Sequence, residues 1–207
     1  MSSLPFDAAF DAASTTDDVT PMRQRITAFG FYLYLLSDAI LFAGLFATFA
    51  VLHNATNGGP AGHDLFSLKG AYIETALLLT SSFTCGMAML ACDRRKPMGA
   101  VFMLGLTFLL GASFLVLELS EFRHLIADGA GPDRSAFLSS FFALVSTHGL
   151  HVFAGLLWLI YIAVQLLRRG FSPAVMRRFF CFSLFWHVID VVWIGVFTFV
   201  YLVGGRA

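Results

Sequence analysis

Charge is scarce in this chain. Its 207 residues hold 13 Lys and Arg and 13 Asp and Glu, so charged residues make up 13% and the net charge is zero. Soluble domains carry about 25% charged residues. Half that quantity cannot cover a surface that faces water, so lipid must cover the rest. A balanced charge with no basic face also excludes nucleic acid as a partner. Cysteine is scarce too. Cys85, Cys92 and Cys181 form no C-x-x-C pair and lie in or at the ends of apolar runs, which reads as small buried hydrophobes. No Walker loop, no G-x-G-x-x-G opening a helix and no Ser/His/Asp set occurs, so the sequence holds no catalytic constellation. A basic start leading into an apolar run is missing as well. Asp7, Asp11, Asp17 and Asp18 all precede the first basic residue, Arg23. Residues 1–24 therefore read as a polar, flexible cytoplasmic tail and not as a secretory signal.

Apolar residues are abundant instead. They make up 58% of the chain, 24 of them are Phe, and the mean hydropathy is +0.79. A spanning helix needs roughly 20 mostly apolar residues. Five stretches qualify, at about 26–52, 71–92, 98–119, 137–167 and 179–203. Their apolar runs are continuous and not alternating, which excludes a transmembrane barrel. Breakers separate them: Asn57-Gly58-Gly59-Pro60, the basic stretch Asp93 to Pro97, the loop Asp128 to Asp133, and Gly170 with Pro173. No repeat and no long linker divides residues 25–207. The expectation is an all-α membrane protein, a single five-helix transmembrane bundle.

Its direction follows from Lys and Arg, which favour the cytoplasmic side. Nine of them (Arg23, Arg25, Arg94, Arg95, Lys96, Arg168, Arg169, Arg177 and Arg178) fall on one side, against Lys69, Arg123, Arg134 and Arg206 on the other. The N-terminus is thereby expected in the cytoplasm and the C-terminus outside.

Polar residues within the runs carry the remaining information, because a charge at a helix centre costs about 2.5–3.5 kcal/mol on insertion scales. Asp38 lies about 11 residues into the first run, roughly 16 Å deep. Ser183, His187 and Asp190 share one face of the fifth, and Asp190 falls at about the same depth as Asp38. His187 is the expected donor to these carboxylates. Glu74 lies near the outer end of the second run. His148, His151 and Gly155 share one face of the fourth. Glu118, Glu121 and His124 are expected at the outer, interfacial end of the third. His148 and His151 are ligand types, but a two-haem bundle needs His pairs on facing helices, and only His187 remains within a run. Interhelical hydrogen bonding is the simpler reading. For Asp38 and Glu74 a structural hydrogen bond stands beside a proton-related or lipid-headgroup role. A free-standing transporter using Asp38, Glu74 and Asp190 is the alternative of another class, and it would show inverted repeats or broken helices.

Several blocks resemble subunit III of the haem–copper respiratory oxidases. They are Ser146-Thr147-His148-Gly149-Leu150-His151-Val152 and Phe185-Trp186-His187-Val188-Ile189-Asp190-Val191-Val192-Trp193, with Ser37-Asp38, Glu74 to Leu79 and Glu118 to His124. Within that family the chain is most similar to the cytochrome bo-type ubiquinol oxidase branch. The segment Gly129 to Ser135, the stretch Gly58-Gly59-Pro60 and the five-helix count carry that likeness. The resemblance implies a non-catalytic subunit of a proton-pumping complex in a bacterial inner membrane, one that oxidises ubiquinol and reduces oxygen to water. It implies no cofactor in this chain, haems and copper in partner subunit I, further partners in subunits II and IV, and bound phospholipid. Subunit III of a cytochrome c oxidase is the nearest alternative. Asp38 matches a membrane-embedded carboxylate of the family, where many relatives have Glu, and Glu74 matches another at the head of its helix.

Overall fold

The computed structural model describes residues 6–58 and 68–203, with side chains from Ile26 to Leu202 except Thr27. Gly59 and Pro60 of the first breaker cluster, and Arg206, lie outside the described residues. Five helices follow in order: α1 (Phe6–Leu52), α2 (Leu68–Asp93), α3 (Pro97–Ala127), α4 (Ala136–Arg169) and α5 (Pro173–Val196). The last continues into a π-helical turn, Phe197–Val203. Each helix contains a stretch long and apolar enough to cross a membrane, the first of them Ala28–Leu52. No strand occurs among the described residues. The fold is the all-α membrane fold expected from hydropathy.

The helices run further than their apolar cores. α1 begins at Phe6 and not near residue 26, so the polar segment read as a tail is helical from there on. α3 continues two turns beyond Leu119 to Ala127, and α5 starts at Pro173 and not near Phe179. Hydrogen bonding keeps a helix going after its apolar residues end, because each backbone N–H and C=O needs a partner. The ends are then set by local signals. Gly170 closes α4 at φ 60° and ψ −155°, a conformation almost confined to glycine. Two residues later the Ser172 side chain accepts from the Val175 N–H at 3.4 Å, and Pro173 fills the first helical position. Ser135 caps α4 in the same way through Leu138, at 3.2 Å.

The chain divides into two compact units, Met1–Ile40 and Leu41–Ala207, with the boundary inside α1. In the second unit α2, α3, α4 and α5 form an antiparallel ring, α2 packing on α3 and α5, and α4 on α3 and α5. The end of α1 adds Phe42 against His151, Phe46 against Phe199 and Phe49 against Phe137. Lipid is as apolar as leucine, so tight contact and hydrogen bonds hold such helices together. Both appear around Trp186. A Cβ placed on Gly155 would lie 2.8 Å from its ring, and one on Gly111 would lie 3.0 Å away. These two glycines form the slot that seats the indole. Its Nε1–H donates to Ser81 Oγ on α2 at 3.1 Å. One α5 residue thus locks onto three other helices. Thr84 and Thr107 join α2 to α3 at 2.8 Å, and Arg178 donates to Gln165 at 2.8 Å across the α4–α5 turn. Cys85, Cys92 and Cys181 are free and buried.

Candidate functional site

The buried acids gather near the start of α2 and the end of α3. Glu74 and Glu118 are each 2% exposed, and Glu121 is half-buried. Both Glu118 oxygens, Glu74 Oε2 and Glu121 Oε1 are closed off from water without a hydrogen-bond partner among the described residues. The three carboxyls lie within electrostatic reach of one another. Tyr201, fully buried in the π-helical turn, donates a long hydrogen bond of 3.5 Å to Glu121 Oε2. A cavity of about 330 Å³ adjoins them, lined by Ile73, Glu74, Leu117, Glu121, His124 and Asp128. Sequence placed Glu118 at a wetted helix end. The structure corrects this, because α3 extends past it and carries the water-exposed end to His124 and Asp128.

Trp193 backs this cluster. Its Nε1–H donates to Thr75 Oγ1 at 3.1 Å, and its ring meets Phe114 edge-on at 4.7 Å. His148 lies against the same two rings, 5.2 Å from Trp193 and 5.7 Å from Phe114. It is fully buried, and neither ring nitrogen has a partner among the described residues. His151, one turn on, is half-buried, and its Nδ1 sits 2.7 Å from the Thr147 carbonyl. A nitrogen facing a carbonyl carries the hydrogen, which fixes the tautomer.

Asp190 and His187 differ in exposure. Asp190 is 7% exposed and lies beside Ser82, whereas His187, within electrostatic reach of it, is exposed. The shared polar face expected from spacing is therefore only half buried. Asp38 belongs to the first unit, where Tyr34, one turn back, hydrogen-bonds its carboxylate. Among the described residues no three His, Cys, Asp or Glu converge as a metal would require. Tyr201, Thr75 and Ser81 were not singled out from sequence. The signal for Thr75 and Ser81 was the pairing of tryptophans on one helix with hydroxyls on another.

Comparison with known proteins decides the family. Residues 7–205 match the family described as cytochrome c oxidase subunit III. This chain belongs to that family. Subunit 3 of the cytochrome bo(3) ubiquinol oxidase of Pseudomonas aeruginosa is 56% identical over 178 residues, 86% of this chain and 85% of that one. Quinol oxidase subunit 3 of Bacillus spizizenii is 46% identical over 180 residues, covering 87% and 88%. Cytochrome c oxidase subunit 3 of Bacillus sp. (strain PS3) is 43% identical over 175 residues, covering 84% of each. The family and the five spanning helices together make this chain an integral protein of a bacterial inner membrane, working within a multi-subunit respiratory oxidase.

Proposed function

We propose that the chain is the third subunit of a bo-type ubiquinol oxidase, a complex that oxidises quinol, reduces oxygen to water and translocates protons. The observation that carries this reading is the 56% identity to a ubiquinol oxidase subunit 3 along nearly the whole of both chains. In this reading the haems and copper belong to subunit I, and subunits II and IV complete the complex. Our chain stabilises the assembly and holds lipid. The buried His148 and Asp190 and the half-buried Asp38 and His151 act as polar groups within the helices, and the exposed His187 faces lipid or a partner subunit. The charge distribution supports a cytoplasmic N-terminus and an outer C-terminus.

Purification of the tagged chain in mild detergent tests the assignment. A haem-bearing subunit should co-purify, the visible spectrum should show its haems, and the preparation should oxidise ubiquinol but not reduced cytochrome c. Oxidation of cytochrome c, with a copper pair in the co-purified subunit II, would move the chain to the cytochrome c branch. A lone chain that transports a solute in liposomes would overturn the reading altogether.

A further inference from the structure

The carboxyls of Glu74, Glu118 and Glu121 lie within electrostatic reach of one another in a place hostile to charge. Four of their oxygens are shut off from water with no hydrogen-bond donor, and no Lys or Arg pairs with them among the described residues. Three negative charges within reach of one another repel strongly where little water screens them. Either a cation or protons must compensate them. No three His, Cys, Asp or Glu among the described residues are placed as metal ligands, and protons are the compensation taken up here. The adjoining cavity of about 330 Å³ gives room for water, whose share of liquid volume is about 30 Å³ per molecule. It runs from Glu74 and Glu121 to His124 and Asp128, which are exposed.

We propose that Glu74 and Glu121, with Glu118 and Tyr201 behind them, form a binding site for protons and their carrier water, in exchange with the aqueous phase at the C-terminal end of α3 through this cavity. The step balances simply. Hydronium gives a proton to a carboxylate oxygen, an O–H bond forms, and water remains in the cavity; release reverses it. The titratable groups around the site are Glu74 from α2, Glu118 and Glu121 from α3 with His124 and Asp128 at the mouth, and Tyr201 from the π-helical turn. From α4 comes His148, behind the Phe114 and Trp193 rings, while α5 presents the Trp193 indole. The proposal does not depend on which electron donor the complex uses.

Infrared difference spectroscopy of the purified complex tests it. The wild-type minus Glu74→Gln spectrum at neutral pH should show the carbonyl stretch of a protonated carboxyl, and that band should shift promptly when the buffer is made with D₂O. Loss of a carboxylate stretch instead would overturn the proposal, because the group would then be ionised. A band that ignores D₂O would overturn the exchange through the cavity. If Glu74→Gln does not assemble, Glu121→Gln gives the same reading from the half-buried carboxyl that also lines the cavity. Stoichiometric metal lost with either variant would overturn the proposal by supplying the cluster with a cation.

Discussion

Gly155 shows how much one missing side chain controls. Trp186 enters the space over it, and the same indole reaches Gly111 and hydrogen-bonds Ser81. A methyl group at 2.8 Å from the ring has to push a residue held on three sides. Overpacking of this kind costs about 1–3 kcal/mol. Gly155→Ala should therefore lower the thermal midpoint at which the tagged chain leaves the purified complex. Gly105→Ala, where a Cβ meets nothing within 4 Å, should leave it unchanged. Equal behaviour of the two variants would show that the slot does not matter. At this scale the sequence was partly legible. Glu74, His148 and Asp190 stood out because polar residues in apolar runs are rare and expensive. The unequal exposure of His187 and Asp190, and the depth of Glu118, were not legible. They depend on which way each helix is rotated against its neighbours, and a residue's spacing along one helix does not contain that angle.

Helix boundaries follow two kinds of signal, the apolar run and the local cap. Hydropathy locates the part of a helix that lipid touches, which is why the cores of all five stretches were found. It is silent about the turns beyond. α3 runs on to Ala127, and its carbonyls at His124 and Ile126 accept from the Asp128 and Gly129 N–H groups at 2.9 and 3.1 Å. The start of α5 was written in Ser172-Pro173, a cap followed by a proline at the first helical position. Tyr201 escaped notice for another reason. The π-helical turn Phe197–Val203 shifts the angular phase of the residues after it, so a 3.6-residue wheel drawn from α5 misplaces the phenol. The turn between α4 and α5 offers a test of element-level control. Gly170 at φ 60° cannot become alanine without strain, and such backbone strain costs about 1–3 kcal/mol. Gly170→Ala should loosen the hairpin, seen as faster proteolysis between Arg169 and Arg177 in membranes opened to expose that face. Wild-type cleavage rates would mean that the Arg178–Gln165 bond and the Ser172 cap are sufficient to hold it.

For the whole molecule the decisive asymmetry is charge between the two ends of the helix ring. The α2–α3 and α4–α5 turns lie at one end because successive helices of the ring are antiparallel. That end carries Arg94, Arg95, Lys96, Arg168, Arg169, Arg177 and Arg178, of which all but Arg178 are exposed. The opposite end carries Lys69, Arg123 and Arg134, all exposed. The longer α5 moves Arg177 and Arg178 from the turn into the first helical turns, yet leaves them at the same end, so the imbalance survives the revised boundary. Long cationic side chains there can extend to the headgroups while their stems stay against apolar surface. Retention of positive charge on the cytoplasmic side then sets the direction of all five helices. Alkaline phosphatase, which folds only outside the cytoplasm, should be active when fused after Ala207 and inactive when inserted between Arg95 and Lys96. A fluorescent protein that matures only in the cytoplasm should give the reverse pattern. If both reporters invert, the acidic cavity beside Glu74 and Glu121 opens toward the cytoplasm, and the proton exchange inferred for it occurs on that side of the membrane.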